Sequence, residues 1–134
     1  MKNVLLVTLL LACGLAGAAT PKQVMDGYAA EAAREQSGFK AQAARGGAFY
    51  AKHFGVSEKM PGCGTCHTDN PAQPGRHAVT SKDIKPLAPS ANAERFTDAA
   101  KVEKWFRRNC KEVVGRECNA AEKADFIAFL TEGR

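Results

Sequence analysis

At 134 residues the chain has room for one sizeable domain, and its formal net charge of +5 is spread too evenly to mark a nucleic-acid surface. Acids stand among the bases, as in Lys101, Glu103 and Lys104, which describes a solvated exterior. More telling are five cysteines and an apolar leader.

Residues 1–19 have the form of a secretory signal peptide. Lys2 gives the positive start, residues 4–12 an apolar run too short to span a bilayer, and Ala16-Gly17-Ala18 a small-residue cleavage pattern. Cleavage after Ala18 or after Ala19 fits equally well, leaves a single domain over about 20–134, and lowers the charge to +4 with the loss of Lys2. The rival is a lipoprotein signal with Cys13 lipidated, for which Leu11 two positions earlier is a poor match. Either way the chain is expected outside the cytoplasm, in the periplasm.

The first helix is announced by Thr20-Pro21-Lys22-Gln23, a cap, a first-turn proline and a glutamine three after the cap. Val24, Met25, Tyr28, Ala29 and Ala32 form its apolar stripe, and Gly38 is a natural stop. A second helix is expected over 39–53, its face made by Ala43, Gly46, Phe49, Tyr50 and then Phe54. Gly46 in its middle costs about 1 kcal/mol against alanine, which implies close approach of another helix.

A loop over 56–62 leads into Cys63-Gly64-Thr65-Cys66-His67. C-x-x-C-H is the attachment pattern of a c-type haem. Two thiols one helical turn apart can reach the two vinyl groups on one porphyrin edge, and the following histidine is carried beneath the ring as the proximal iron ligand. A redox dithiol would want a strand leading into the motif, and Lys59-Met60-Pro61-Gly62 is not one. Zinc could be assembled from Cys63, Cys66, His67 and His77 or the distant cysteines, but no second close pair supports it. The sixth iron position is open. None of the three methionines follows His67, and Met60 is too close to cross the ring. His53 and His77 could ligate, although surface roles suit both.

Residues 69–89 hold four of the six prolines and no helical period, an irregular wrap around the haem edge. Pro86 is a candidate to accept the second ring N–H of His67, Leu87 to rest on the ring, and Lys82 or Lys85 to meet an acidic partner. Thr97 is the expected cap of the next helix, whose stripe is Val102, Trp105, Phe106, Asn109 and Val113. Trp105 and Phe106 suit haem-pocket packing, whereas the Asn109 amide is out of place on an apolar stripe. Asn119-Ala120-Ala121-Glu122 opens the last helix, with Ala124, Phe126, Ile127 and Leu130 inward. No strand pattern and no internal repeat compete.

Cys110 and Cys118 remain as a pair, which an exported chain tends to oxidise. Eight residues of continuous helix would hold their Cα atoms about 12 Å apart, and a disulfide needs about 7 Å or less. The helix must therefore break between them, and Gly115 is the obvious place.

Several stretches together resemble the SHP class of monohaem cytochromes c: Gly27-Tyr28, Arg45-Gly46, Pro86-Leu87-Ala88-Pro89-Ser90, Arg95-Phe96-Thr97-Asp98, Lys101-Val102-Glu103-Lys104-Trp105, Arg108-Asn109-Cys110 and Glu122-Lys123-Ala124-Asp125. The stretch from His67 to Lys82 matches less well. The resemblance implies an all-α class I cytochrome c fold with an additional N-terminal helix, in which the helix over 43–53 crosses the C-terminal one. It implies one covalent haem c, an axial asparagine at Asn109 beside a Cys110–Cys118 disulfide, and release of that amide on reduction to admit oxygen, nitric oxide or carbon monoxide. An electron carrier with dihaem or membrane b-type cytochrome partners is one reading. A gas-binding protein or a terminal oxygen or nitric oxide reductase is the other.

Overall fold

The computed structural model describes residues 17–132, so the expected signal peptide up to residue 16, with Cys13, lies outside the described residues. Five helices carry the fold: α1 (Pro21–Glu35), α2 (Ala43–Ala51), the single turn α3 (Gly64–His67), α4 (Ala99–Asn109) and α5 (Ala120–Thr131). None is long and apolar enough to cross a membrane.

Helix α1 begins as its residues dictate. The Thr20 hydroxyl accepts from the Gln23 N–H and the Gln23 amide oxygen accepts from the Thr20 N–H, with Pro21 in the first turn. Helix α2 is shorter than its apolar spacing predicts. Gln42 is extended (φ −135°, ψ 121°) because its N–H is drawn 2.7 Å from the carboxylate of Asp125 on α5, so the helix starts only at Ala43. Phe39, expected inside the helix, instead lies under the Arg45 guanidinium at 5.2 Å.

Helix α5 is the centre of the molecule. Ala124 to Ala128 are all buried, as is Leu130, because α1 packs on one side of α5 and α2 on another. Phe126 meets Phe106 of α4 edge-on at 5.7 Å, and Phe106 meets Tyr28 of α1 at 5.8 Å, so one aromatic file joins three helices. The Tyr28 hydroxyl donates to Glu103 at 2.8 Å, and the Lys123 ammonium reaches the same carboxylate at 2.8 Å, fixing α4 against the α1–α5 pair.

Gly46 is the crossing point of α2 and α5. A Cβ there would run into the Asp125 carbonyl and stand 2.8 Å from the Phe129 Cβ. Gly46→Ala should therefore force the helices apart and cost about 1–3 kcal/mol. That cost would be read as a lower urea midpoint at unchanged slope. A wild-type midpoint would mean that the crossing distance is not set at Gly46.

Two expectations need correction. Asp98, not Thr97, caps α4: its carboxylate accepts from the Lys101 N–H at 2.9 Å, while the Thr97 hydroxyl turns back to the Glu94 carbonyl. The wrap after His67 also contains a small antiparallel ladder, β1 (Gly75–Arg76) paired with β2 (Asp83–Ile84), where no strand is expected. Two-residue strands are too short to leave an alternating pattern.

Past Asn109 the chain continues as a π-helical turn, Cys110–Val114, and reverses at Gly115 (φ +82°), whose N–H donates to the Cys110 carbonyl. The Cys110 and Cys118 sulfurs lie at bonding distance, with Cα atoms 5.7 Å apart. The break falls where the cysteine spacing requires it.

Candidate functional site

The motif sits on α3, where the Cys66 and His67 N–H groups both donate to the Cys63 carbonyl, at 3.3 and 3.1 Å. One turn thus carries both thiols and the imidazole. Thr68 ends it abruptly at φ +62°, in left-handed backbone that a β-branched residue rarely adopts. The buried Tyr50 of α2 holds this turn by donating its hydroxyl 2.6 Å to the Thr68 carbonyl. On the other side, a Cβ at Gly75 would strike the Cys66 carbonyl, so β1 lies directly against the motif. The Ala78 N–H then reaches the Cys66 sulfur at 3.3 Å. Helix α2 and the hairpin grip the motif from two sides.

Cys63 and Cys66 are free thiols, each partly buried. Burial pushes the Cys63 thiol up to about 11, opposite to the depressed thiol of a disulfide exchanger. A four-ligand zinc site drawing on the distant cysteines is also ruled out, because Cys110 and Cys118 are matched to each other. His67 is lowered to about 4, by burial and then by the nearby charge of Arg95. Its imidazole is neutral at physiological pH and offers a nitrogen lone pair. Among the described residues neither ring nitrogen has a hydrogen-bond partner.

The Pro86 carbonyl does not serve His67 as expected. It accepts instead from Arg95 Nε at 2.8 Å and Asn92 Nδ2 at 3.2 Å. Leu87 is buried, with its N–H on the Pro71 carbonyl, in the same apolar cluster as Phe106, Cys110 and Cys118, and Cys63 packs against that cluster.

Helix α4 has two apolar faces. Val102 and Phe106 turn into the core, while Trp105 remains 43% exposed with the Arg108 guanidinium 5.6 Å over its ring. Asn109 lies one turn after Trp105 on that open face. Its side chain is exposed and makes no hydrogen bond among the described residues, so it does not simply cap a backbone end.

The other histidines have different work or none. His77 Nδ1 accepts from the Val79 and Thr80 N–H groups at 3.2 Å and shapes the hairpin loop. His53 is exposed, beside Gly62. Lys85 stands 3.8 Å from Glu94, and Lys82 is exposed in the hairpin loop. Arg95 and Tyr50 were not identified as site residues from the sequence. Nothing in their spacing marks them, because their partners are backbone carbonyls supplied by other segments.

Two thiols on one turn, a neutral imidazole with both nitrogens free, a large uncovered indole and an unpaired amide are groups that a covalently held macrocycle would use. A family model described as Domain of unknown function (DUF1924) matches residues 36–130. The cytochrome c-type protein SHP of Cereibacter sphaeroides is 46% identical over 117 residues, 87% of this chain and 86% of that protein. Cytochrome c'' of Methylophilus methylotrophus is 47% identical over 83 residues, 61% of this chain and 58% of that protein. The structure of oxidised SHP, described as an oxygen-binding cytochrome c, matches with a TM-score of 0.78 at 44% identity, over 87% of this chain and 99% of that one. The crystal structure of oxidised cytochrome c'' gives 0.78 at 36% identity, over 85% and 94%. Its solution structure, concerned with haem-ligand detachment, gives 0.70 at 36%, over 82% and 90%.

Proposed function

The chain belongs to the SHP family of c-type cytochromes, and to the family of the DUF1924 domain, and on that premise we propose that it is an exported electron-transfer cytochrome whose Asn109 amide is an oxidation-dependent ligand. What carries this reading is the Asn109 side chain, exposed on the Trp105 face and unpaired, immediately before the Cys110–Cys118 turn.

Haem c supplies an iron centre that exchanges one electron and can hold a diatomic gas. Cys63 and Cys66 would hold the group as thioethers, one sulfur for each of its vinyl groups. His67 gives the proximal nitrogen, and its burial keeps it unprotonated for that task. Leu87 and Trp105 would supply apolar surface against the bound group.

Asn109 offers a neutral, hard oxygen, which suits the more highly charged oxidised state and binds the reduced one weakly. The amide would therefore be held in the first state and released in the second. Only side-chain torsions need change, because the Cys110–Cys118 bond and the π-helical turn keep the backbone behind it in place. The electron comes from a partner protein of the dihaem or b-type cytochrome kind, and the exposed Lys82 and Lys85 suit an acidic docking face. The periplasm is the proposed compartment, from the leader sequence.

A second reading makes the chain a gas-binding protein or a terminal oxygen or nitric oxide reductase. The description of SHP as oxygen-binding and the haem-ligand detachment studied in cytochrome c'' favour a site that opens. Anaerobic addition of measured oxygen or nitric oxide to the reduced protein, with excess reductant present, separates the two. Uptake that stops at one gas molecule per chain supports the carrier; continued consumption supports the reductase; no uptake at all refutes the opening of the site.

A further inference from the structure

Among the described residues, Ala19 is the first in the chain to engage the core. Its N–H donates to the Thr97 carbonyl at 3.0 Å, and its side chain is half-buried against the apolar cluster. The two residues before it do nothing comparable. Gly17 and Ala18 are exposed, and no atom lies within 4 Å of the place where a Gly17 side chain would stand. The line between chain that the fold uses and chain that it does not falls between Ala18 and Ala19.

The turn that receives Ala19 needs holding. Phe96 is buried at φ +59°, in left-handed backbone that a bulky side chain rarely adopts and that persists only where its surroundings fix it. The Thr97 hydroxyl turns back to the Glu94 carbonyl and the Asp98 carboxylate caps α4, so Ala19 is what engages the Thr97 carbonyl.

Small-residue spacing alone allows a cut after Ala18 or after Ala19, and the two leave different ends. A cut after Ala19 removes the bond and the apolar contact. It also turns the nitrogen of Thr20, the N-cap of α1, into an ammonium at the positive end of the helix. A cut after Ala18 keeps both contacts and sets the new charge one residue further from the helix. The ammonium then has a carbonyl to donate to, in a charge-assisted bond stronger than the neutral one it replaces.

We propose that the Ala18–Ala19 peptide bond is the processing site of this chain, and that the new Ala19 ammonium docks on the Thr97 carbonyl and pins the start of α1 to the turn before α4. The step is a hydrolysis by a peptidase of the export machinery. The C–N bond between Ala18 and Ala19 breaks, water gives its hydroxyl to the Ala18 carbonyl carbon, and its proton goes to the Ala19 nitrogen. Since α4 carries Asn109 at its other end, the mature terminus helps to seat that helix. The inference rests on the reading of the N-terminal stretch as a secretory leader.

Intact-mass measurement on haem-loaded protein, recovered from the periplasm of a bacterium expressing the full 134-residue chain, reads the terminus directly. The expected mass is that of residues 19–134 carrying the haem. A mass lower by one alanine, or one that begins at Ala18 or earlier in the leader, overturns the choice of site. An uncut chain, or one that begins at an acylated Cys13, overturns it together with the leader reading on which it rests. Docking is read separately in a chain with Ala19 deleted, where the same cut leaves Thr20 first. That protein should unfold at a lower urea midpoint with an unchanged slope. Equal midpoints would overturn the docking of Ala19 even with the cut after Ala18.

Discussion

Asn109→Ala should leave the haem covalently attached and change the ferric absorbance spectrum, because in the proposed arrangement its amide is the distal ligand. The side chain makes no hydrogen bond among the described residues and is exposed on α4, so its loss has little structural cost. Surface substitutions of that kind stay within about 0.5 kcal/mol. The functional change is larger. If the amide leaves the site open in roughly 1–10% of oxidised molecules, an added ligand sees its affinity reduced by that fraction. Removing the amide should then raise the ferric affinity for cyanide about 10- to 100-fold. An unchanged ferric spin state and unchanged cyanide affinity would show that Asn109 does not reach the iron.

Arg45→Ala should be the most damaging single change away from the haem. Asp125 is 5% exposed and its carboxylate accepts from Arg45 Nε at 2.6 Å, Arg45 Nη2 at 2.8 Å and the Gln42 N–H at 2.7 Å. Truncation leaves a buried carboxylate on one backbone N–H. Breaking a buried pair costs about 3–5 kcal/mol, and since the Arg45 side chain is 44% exposed, solvent screening reduces this to about 2–3 kcal/mol. Urea unfolding measures the loss, and Arg45→Ala combined with Asp125→Asn should recover much of it. A loss under about 0.5 kcal/mol would mean that water already satisfies Asp125.

Local chemistry was legible in the sequence, and distant partners were not. The haem motif could be read because covalent attachment needs two thiols and a histidine at one spacing. The caps of α1 and α5 could be read because Thr20 with Gln23, and Asn119 with Glu122, satisfy backbone N–H groups three residues away. The break at Gly115 followed from the reach of a disulfide. The start of α2 could not be read, since Asp125 sets it from the far end of the chain. The cap at Asp98 was missed because Thr97 caps as well by type, and only the Glu94 carbonyl draws its hydroxyl away. The Pro86 expectation failed for a related reason: a carbonyl advertises nothing about which donor will reach it, and Arg95 and Asn92 reach it from the following turn. Asn109 lies between these cases. Its place on an apolar stripe was visible, but its open, unpaired state depends on how α4 is seated by Phe106, Glu103 and Lys123.

The measurement closest to the central claim is the absorbance spectrum of the wild-type protein, oxidised, reduced, and reduced under carbon monoxide. The expected result is a six-coordinate oxidised form and a five-coordinate reduced form that takes up one carbon monoxide per chain. A reduced form that is six-coordinate and unmoved by carbon monoxide would contradict an Asn109 ligand that lets go on reduction.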